Sequence, residues 1–387
     1  MNKEKKKTLL LAVTKSSWGG AQKYVYDLAQ GFQSEYDVHI LCGANEFGGE
    51  NLFVSKLELL GVRVHQIGTL KRDVSLFDEI RSARSIYRVF KQVDPDIVHL
   101  NSSKMGALGG AIARLCRIKQ ITYTVHGFPQ FEDRPRWQKI IIDIITRLTF
   151  LFAHQIILIS QKEYKYAQSK YSKKKSVLIY NGIHNFKIEA QEQSRTWLLK
   201  DAPEAIQEKL QSSAIVLGNV AELVKNKGIS YTLEAIRVLK EQGYNIVYIH
   251  IGIGGLRDLL ESEVKEKKLE DDVYFAGFRD AKPLLNAFDI LVFPSIKEGL
   301  PYVPIEAGYT GLAVVATRVG GIPEIIEDEH SGILIEPKNS QQIVNAVKYL
   351  VDNSDIRRLY AHNLHTKVIS TFTLSRMLEK TREVYES

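Results

Sequence analysis

The chain has 387 residues, 44% hydrophobic and 25% charged, which excludes a disordered or fibrous chain and exceeds one ordinary core, so two globular domains are expected. No apolar run approaches the roughly 18–20 uncharged residues of a membrane span. The net charge of +7 is uneven, +12 over residues 1–180 and −5 over the rest, so the first half points to an anionic partner: a phospholipid surface, a phosphate-bearing substrate or nucleic acid.

At the start, Lys3, Lys5, Lys6 and Lys7 precede an apolar run, Thr8–Val13, that is short for the core of a signal peptide. Trp18-Gly19-Gly20 supplies no small-x-small cleavage site, so a basic leader before a buried strand is expected. Candidate strands follow at Leu9–Thr14, Val38–Cys42, Val62–Ile67, Asp96–Leu100, Ile121–His126, Gln155–Ser160 and Val177–Tyr180. Helix-length segments lie between them, among them Ala21–Ser34, Leu76–Val93 and Lys104–Cys116. The strands are apolar almost throughout rather than alternating, as in a parallel sheet covered on both faces. Cys42 and Cys116 lack metal-type spacing and read as free thiols in a reducing compartment.

Around 185–212 the pattern lapses into a polar stretch, taken as the linker, with room for a short helix. The alternation then restarts with strands at Ala214–Val220, Ile246–Ile251, Val273–Ala276, Ile290–Phe293, Ala313–Ala316 and Gly332–Ile335, and a helix at Ile229–Gln242. From Gln341 the tail is helical in pattern. Two doubly wound α/β domains result, 1–185 and 186–370, with ligands expected beyond the carboxyl ends of the strands, in a cleft between them.

Two segments carry chemistry. After the first strand, Gly19 and Gly20 open a helix, where backbone N–H groups can approach an anion, although many such turns hold glycine for backbone reasons alone. In the second half, Glu298, Gly299, Leu300 and Pro301 lead to Glu306, giving two carboxylates eight positions apart around an expected helix start. Such carboxylates can grip neighbouring hydroxyls while helix amides hold a phosphate. Spacing alone leaves that reading level with merely solvated acids.

This segment, with its continuation Gly311–Glu324, resembles the Glu-x7-Glu signature of retaining glycosyltransferase family 4. Ile249–Gly255, Val273–Asp280 and Phe288–Ser295 are similar to the same family in order and spacing, as are Trp18–Gln22, Asn101–Lys104, Val125–Gly127 and Tyr180–Ile183. The resemblance implies a GT-B architecture: two Rossmann-like doubly wound parallel-sheet domains facing a central cleft, with a last helix, 371–387, returning to the first. It implies an acceptor on the first domain and a nucleotide-sugar donor, as a UDP-sugar, on the second. Glu306 would hold the ribose and Glu298 the transferred sugar, with the Gly299–Pro301 amides lining the pocket and the backbone of Gly277, Phe278 and Arg279 meeting the base. His126 would approach the sugar or its phosphate from the first domain, and Gly19 and Gly20 the diphosphate. A lone histidine at a strand end is otherwise more often structural.

The loop from Gly218 and Asn219 to Gly228 departs from the family at one position: Lys227 and its neighbour Lys225 supply cations, but Glu222 stands where an arginine is expected. An acid beside a departing diphosphate works against charge stabilisation. A non-catalytic or partner-dependent GT-B subunit therefore stands as the alternative, with a sugar-nucleotide epimerase behind it. No Asp-x-Asp metal signature stands out, and Asp271-Asp272 precedes a strand as ordinary loop acids, so neither metal nor cofactor is expected, and Lys227 and helix amides would carry the leaving group.

On the acceptor side, Asn101, Ser102 and Lys104 follow the fourth strand, and Arg134, Arg136, Trp137 and Lys139 open an amphipathic helix. Its apolar positions Trp137, Ile141, Ile144, Ile145, Leu148 and Phe152 share one face, readable as packing on the domain's own sheet or as lying on an anionic membrane. The Lys173–Lys175 run would add surface charge. The expected setting is the cytoplasmic face of a bacterial membrane, with a polyprenyl-diphosphate-linked or other glycan acceptor. No nucleic-acid recognition motif is present, and a protein partner remains open.

Overall fold

The computed structural model of the protein describes residues 6–45, 51–71, 76–131, 134–171 and 175–387. The chain forms two compact units, Met1–Gly182 with Leu374–Ser387, and Ile183–Thr373.

The first unit is a seven-stranded, all-parallel sheet of order β3-β2-β1-β4-β5-β6-β7. Its strands are β1 (Thr8–Val13), β2 (Asp37–Gly43), β3 (Arg63–Ile67), β4 (Ile97–Leu100), β5 (Gln120–Val125), β6 (Gln155–Leu158) and β7 (Ser176–Leu178). The helices are α1 (Gly20–Phe32), α2 (Leu52–Leu59), α3 (Leu76–Val93), α4 (Gly110–Leu115), α5 (Arg136–Phe152) and α6 (Gln161–Lys170). One turn of π-helix, Met105–Gly109, leads into α4. Because the strand order runs outward from β1 in both directions, right-handed crossovers put α1 and α2 on one face and α3, α4 and α5 on the other. Leu9, Leu10 and Leu11 are fully buried, as expected of a central parallel strand with both faces covered.

Helix α5 turns the other way from the packing that its apolar stripe suggests. Trp137, Ile141, Ile144, Ile145 and Leu148, joined by Ile140 and Leu151, are 41–64% exposed, whereas Thr149 and Phe150 are buried. The reason is a close helix contact. A Cβ on Gly106 would lie 2.7 Å from Thr149 Cγ2, and one on Gly110 3.2 Å from Phe152 Cβ. These glycines draw in the Thr149 and Phe152 side of α5 and leave the isoleucines outside.

The second unit is a six-stranded parallel sheet of order β10-β9-β8-β11-β12-β13. It comprises β8 (Ile215–Val220), β9 (Ile246–Ile251), β10 (Val273–Gly277), β11 (Ile290–Phe293), β12 (Ala313–Thr317) and β13 (Ile333–Ile335). The stretch expected as a linker carries two helices of this unit, α7 (Gln191–Leu199) and α8 (Glu204–Gln211). Helix α7 is fastened by Ser194 Oγ donating to Pro283 O at 2.8 Å and by an ion pair between Arg195 and Asp289 at 2.9 Å. Then come α9 (Ile229–Glu241), α10 (Arg257–Glu266), α11 (Tyr302–Thr310), α12 (Ile322–Ile325), α13 (Ser340–Asp352) and α14 (Ser354–Thr371). Asp272, which the sequence presents as an ordinary loop acid, is buried and ion-paired with both Lys209 and Lys240.

The last helix, α15 (Leu374–Glu386), belongs to the first unit and packs on α1 and β5. Arg382 pairs with Glu35 at 2.7 Å, and Gln120 Nε2 donates to Val384 O. No helix among the described residues is long and apolar enough to cross a membrane.

Candidate functional site

In the second unit, the loops at the carboxyl ends of β8, β9, β11 and β12 are bound to one another. After β8 the chain makes one turn of 3-10 helix, Lys225–Lys227, and enters α9 through Gly228. Gly228 has φ +68°, and a Cβ there would lie 2.3 Å from Pro294 O in the loop after β11. Ile296 N–H closes the same contact on Asn226 O at 2.7 Å. Lys227 Nζ thereby reaches Glu298 Oε1 at 2.6 Å, with 20% and 11% of the two side chains exposed.

A second clamp comes from the loop after β12, a contact that sequence reading missed. Gly320, at φ +56°, leaves no room for a side chain, since a Cβ would meet Glu298 O at 2.1 Å. The N–H of Gly321 donates to Gly299 O at 2.6 Å. The sequence signal was present in the Val319-Gly320-Gly321 run, but only the fold shows which backbone it meets. Glu298 and Gly299 are fixed from both sides, and Pro301 then caps α11. Glu306 lies one turn into α11 and is 7% exposed.

The loop carrying Glu222 is equally fixed. Leu223 N–H donates to Ile253 O and Leu256 N–H to Leu223 O, both at 3.0 Å, while His250 Nε2 lies 2.9 Å from Ala221 O. The side chains of Glu222 and Lys225 are exposed. Two residues of the expected donor set have side chains that are buried or already engaged. Asn219 is fully buried on β8, so its carboxamide lies beneath the loops. The side chain of Arg279 is committed to Trp197 O and to Asp201 at 3.1 Å, locking α7 onto the unit. Gly277 takes φ +73° beside it, and Phe278 is exposed.

In the first unit the corresponding loops follow β1, β4 and β5. Gly19 caps α1 and Gly20 begins it. Thr14 Oγ1 and Ser102 Oγ lie 2.5 Å apart, which joins the loop after β1 to that after β4. Asn101 is fully buried, and its Oδ1 lies 3.3 Å from His126 Nε2. Burial holds the pKa of His126 down to about 4, so the ring is neutral at physiological pH. Its ring stands edge-to-face with that of Tyr24, the centroids 4.9 Å apart.

Beneath it runs a buried polar chain. His99 Nε2 lies 2.7 Å from Thr124 Oγ1 and His99 Nδ1 2.6 Å from the hydroxyl of Tyr385 in α15, while Tyr24 closes on Thr124 at 3.3 Å. Burial pushes the pKa of His99 down to about 3. Lys104 pairs with Glu79 at 2.6 Å. Arg134, Arg136 and Trp137 are exposed at the start of α5. Of the Lys173–Lys175 run, 173 and 174 lie outside the described residues, and Lys175 Nζ donates to Ala153 O at 3.0 Å. Lys3 and Lys5 of the leader also lie outside them.

Two Rossmann-like domains with joined loops at the carboxyl ends of their strands define the GT-B class of folds. Residues 18–185 match the family model for Glycosyltransferase Family 4 and residues 202–365 that for Glycosyl transferases group 1, and the chain belongs to this family of glycosyltransferases. It is 26% identical over 364 residues, 91% of this chain and 89% of the relative, to the UDP-Gal:alpha-D-GlcNAc-diphosphoundecaprenol alpha-1,3-galactosyltransferase of Escherichia coli. It is 23% identical, over 82% of this chain and 83% of the relative, to the capsular polysaccharide biosynthesis glycosyltransferase CapM of Staphylococcus aureus. Among solved structures, HepE of Anabaena in complex with UDP and glucose superposes with a TM-score of 0.78 at 21% identity, over 98% of this chain and 99% of that one. The sucrose-phosphate synthase of Thermosynechococcus elongatus gives 0.83 at 18%, over 98% of each chain.

Proposed function

We propose that this glycosyltransferase is a retaining, metal-independent hexosyltransferase that moves a sugar from a UDP-linked donor to a hydroxyl of a lipid-linked saccharide during bacterial surface polysaccharide synthesis. The nucleotide sugar is supplied in the cytoplasm. The observation that carries the reading is the Lys227–Glu298 pair, held between the loops after β8 and β11 at the mouth of α11. A diphosphate would draw Lys227 away from Glu298, leaving the carboxylate to accept from hydroxyls of the transferred sugar. Glu306, one turn deeper, would take the ribose hydroxyls, and the amides from Gly299 onward face the phosphate.

In the first unit, neutral His126 can donate to a sugar hydroxyl or phosphate oxygen without adding charge. The acceptor oxygen bonds to the anomeric carbon as the bond to the diphosphate breaks, and the departing diphosphate takes the hydroxyl proton. Attack from the face of departure keeps the anomeric configuration. The E. coli relative, named for a diphosphoundecaprenol-linked acceptor, supports the acceptor class.

Thermal unfolding against a panel of nucleotides and nucleotide sugars tests the reading. UDP should raise Tm selectively, and turnover with a UDP-hexose should give a product whose anomeric proton coupling matches the donor. If no nucleotide stabilises the protein, the donor assignment is wrong and a non-catalytic, partner-dependent subunit takes its place. Glu222 is the feature that favours that second reading.

A further inference from the structure

The stripe of exposed apolar side chains on α5, from Trp137 to Leu151, has no role in the reaction proposed above, and no described residue of the first unit covers it. Seven large side chains spaced three and four residues apart form a continuous apolar ridge along about 20 Å of helix, well beyond scattered surface hydrophobics. From the geometry of this ridge and its surroundings we infer that it is a docking surface for an anionic phospholipid membrane, with α5 lying flat in the headgroup region.

Charge decides between a membrane and the other occupant of such a ridge, a second copy of the chain. Helix α3 packs on α4 and α4 on α5, on the same face of the sheet. Together these helices carry eight lysines and arginines against three carboxylates, and two of the three, Glu79 and Asp143, already sit in ion pairs. On α3 the cations Arg81, Arg84, Arg88 and Lys91 face solvent alongside exposed Phe77 and Ile80. A two-fold dimer through this face would set cations against cations, whereas a sheet of anionic headgroups neutralises them. Trp137, between Arg136 and Lys139 at the helix start, suits the level at which an aromatic ring meets both headgroup and acyl chain.

The proposal concerns binding rather than turnover, so its test is separate from that of the donor site. The purified full-length chain is sedimented with vesicles of phosphatidylglycerol and of phosphatidylcholine. Binding to phosphatidylglycerol vesicles, weakened by salt and absent with phosphatidylcholine, is expected. Ile140→Glu with Ile144→Glu should lower the affinity about tenfold or more, by loss of apolar insertion. Both residues are exposed, so Tm and donor hydrolysis in solution should not change. Arg84→Glu with Arg88→Glu, which leaves the ridge intact, should weaken binding several-fold and flatten its salt dependence.

No binding of the wild type to phosphatidylglycerol vesicles would overturn the proposal, as would unchanged binding by the isoleucine variant. So would a dimer in dilution light scattering that the isoleucine variant splits, since a second copy would then cover the ridge.

Discussion

At the carboxyl end of the first sheet, beside the Lys104–Glu79 ion pair, lies a set of uncharged groups bonded to one another: Thr14 to Ser102, Asn101 to His126, and His99 to Thr124 and Tyr385. Above the second stands a charged pair, Lys227 and Glu298, clamped by backbone at Gly228 and Gly320. Two sheets whose first six strands share one order thus differ in what their carboxyl edges hold. A neutral, desolvated network orients hydroxyls without competing for a phosphate. An ion pair can be reopened by a more highly charged ligand, and that difference matches the proposed division between acceptor and donor.

The comparison breaks most visibly at Lys227. Lys227→Ala should lower kcat by about 10²–10³-fold, as for other lost donors to developing charge, with a smaller change in KM. Initial-rate kinetics checks this. An effect below tenfold would mean that other groups, Lys225 foremost, carry the diphosphate.

Gly320→Ala attacks the same pair from the backbone. Its φ of +56° and the 2.1 Å approach of a Cβ to Glu298 O mean that the loop bearing Glu298 must move. A loss of about 2–3 kcal/mol of stability is expected from the strained conformation and the clash. Urea unfolding measures that loss, and donor titration should show weaker binding even at temperatures where the variant stays folded.

Acid should weaken the first unit more than the second. The first holds two histidines whose pKa values burial pushes well down, His99 to about 3 and His126 to about 4, and the second holds His250, pushed down to about 4. Unfolded, all three titrate near 6.5, so below that pH the unfolded chain binds more protons and stability falls. The loss should begin as pH drops through about 6.5 and continue to about 4, at up to roughly 1.4 kcal/mol per pH unit for each histidine. Unfolding followed from pH 7.5 to 4.5 gives the slope, and a flat profile would refute the buried neutral rings.

Tyr385→Phe separates the units again, since α15 belongs only to the first. It removes the hydroxyl 2.6 Å from His99 Nδ1 and leaves that nitrogen buried without its partner, at a cost of about 1–3 kcal/mol. The transition of the first unit should shift while that of the second stays in place, and scanning calorimetry with and without donor tells the two apart.

How much of this could be read from the sequence follows from the physics of each element. The strands were legible because a parallel strand covered on both faces is a short apolar run: Ile246–Ile251 and Ile290–Phe293 are found where the composition puts them. Helix α5 was legible as a helix, but its orientation was not. Periodicity gives a stripe and never says which neighbour the opposite face meets. The clue lay elsewhere, in Gly106 and Gly110, whose missing side chains admit α5 by its Thr149 and Phe152 edge. The Glu298 and Glu306 segment was legible as a motif, whereas the Lys227–Glu298 pairing depends on two loops 71 residues apart. His99 and Tyr385, 286 residues apart, gave no local signal at all.

The smallest expected effect bears on the charge at the second sheet's edge. Glu222 is exposed on a loop whose backbone is held at Leu223 by Ile253 and Leu256, so a change of its side chain leaves the loop in place. Glu222→Arg reverses one charge in the loop that carries Lys227. If the diphosphate leaves near that loop, turnover should rise by about two- to fivefold, because an exposed charge acts through screened solvent rather than a dry site. The gain should shrink in high salt and be absent from the melting temperature of the free protein. A rate that is unchanged at low salt would mean that Lys227 and the α11 amides already neutralise the leaving group. A rate that falls would mean that Glu222 itself serves the donor, the least expected sign for an acid in that place, and would move the sugar-binding role from Glu298 toward the loop after β8.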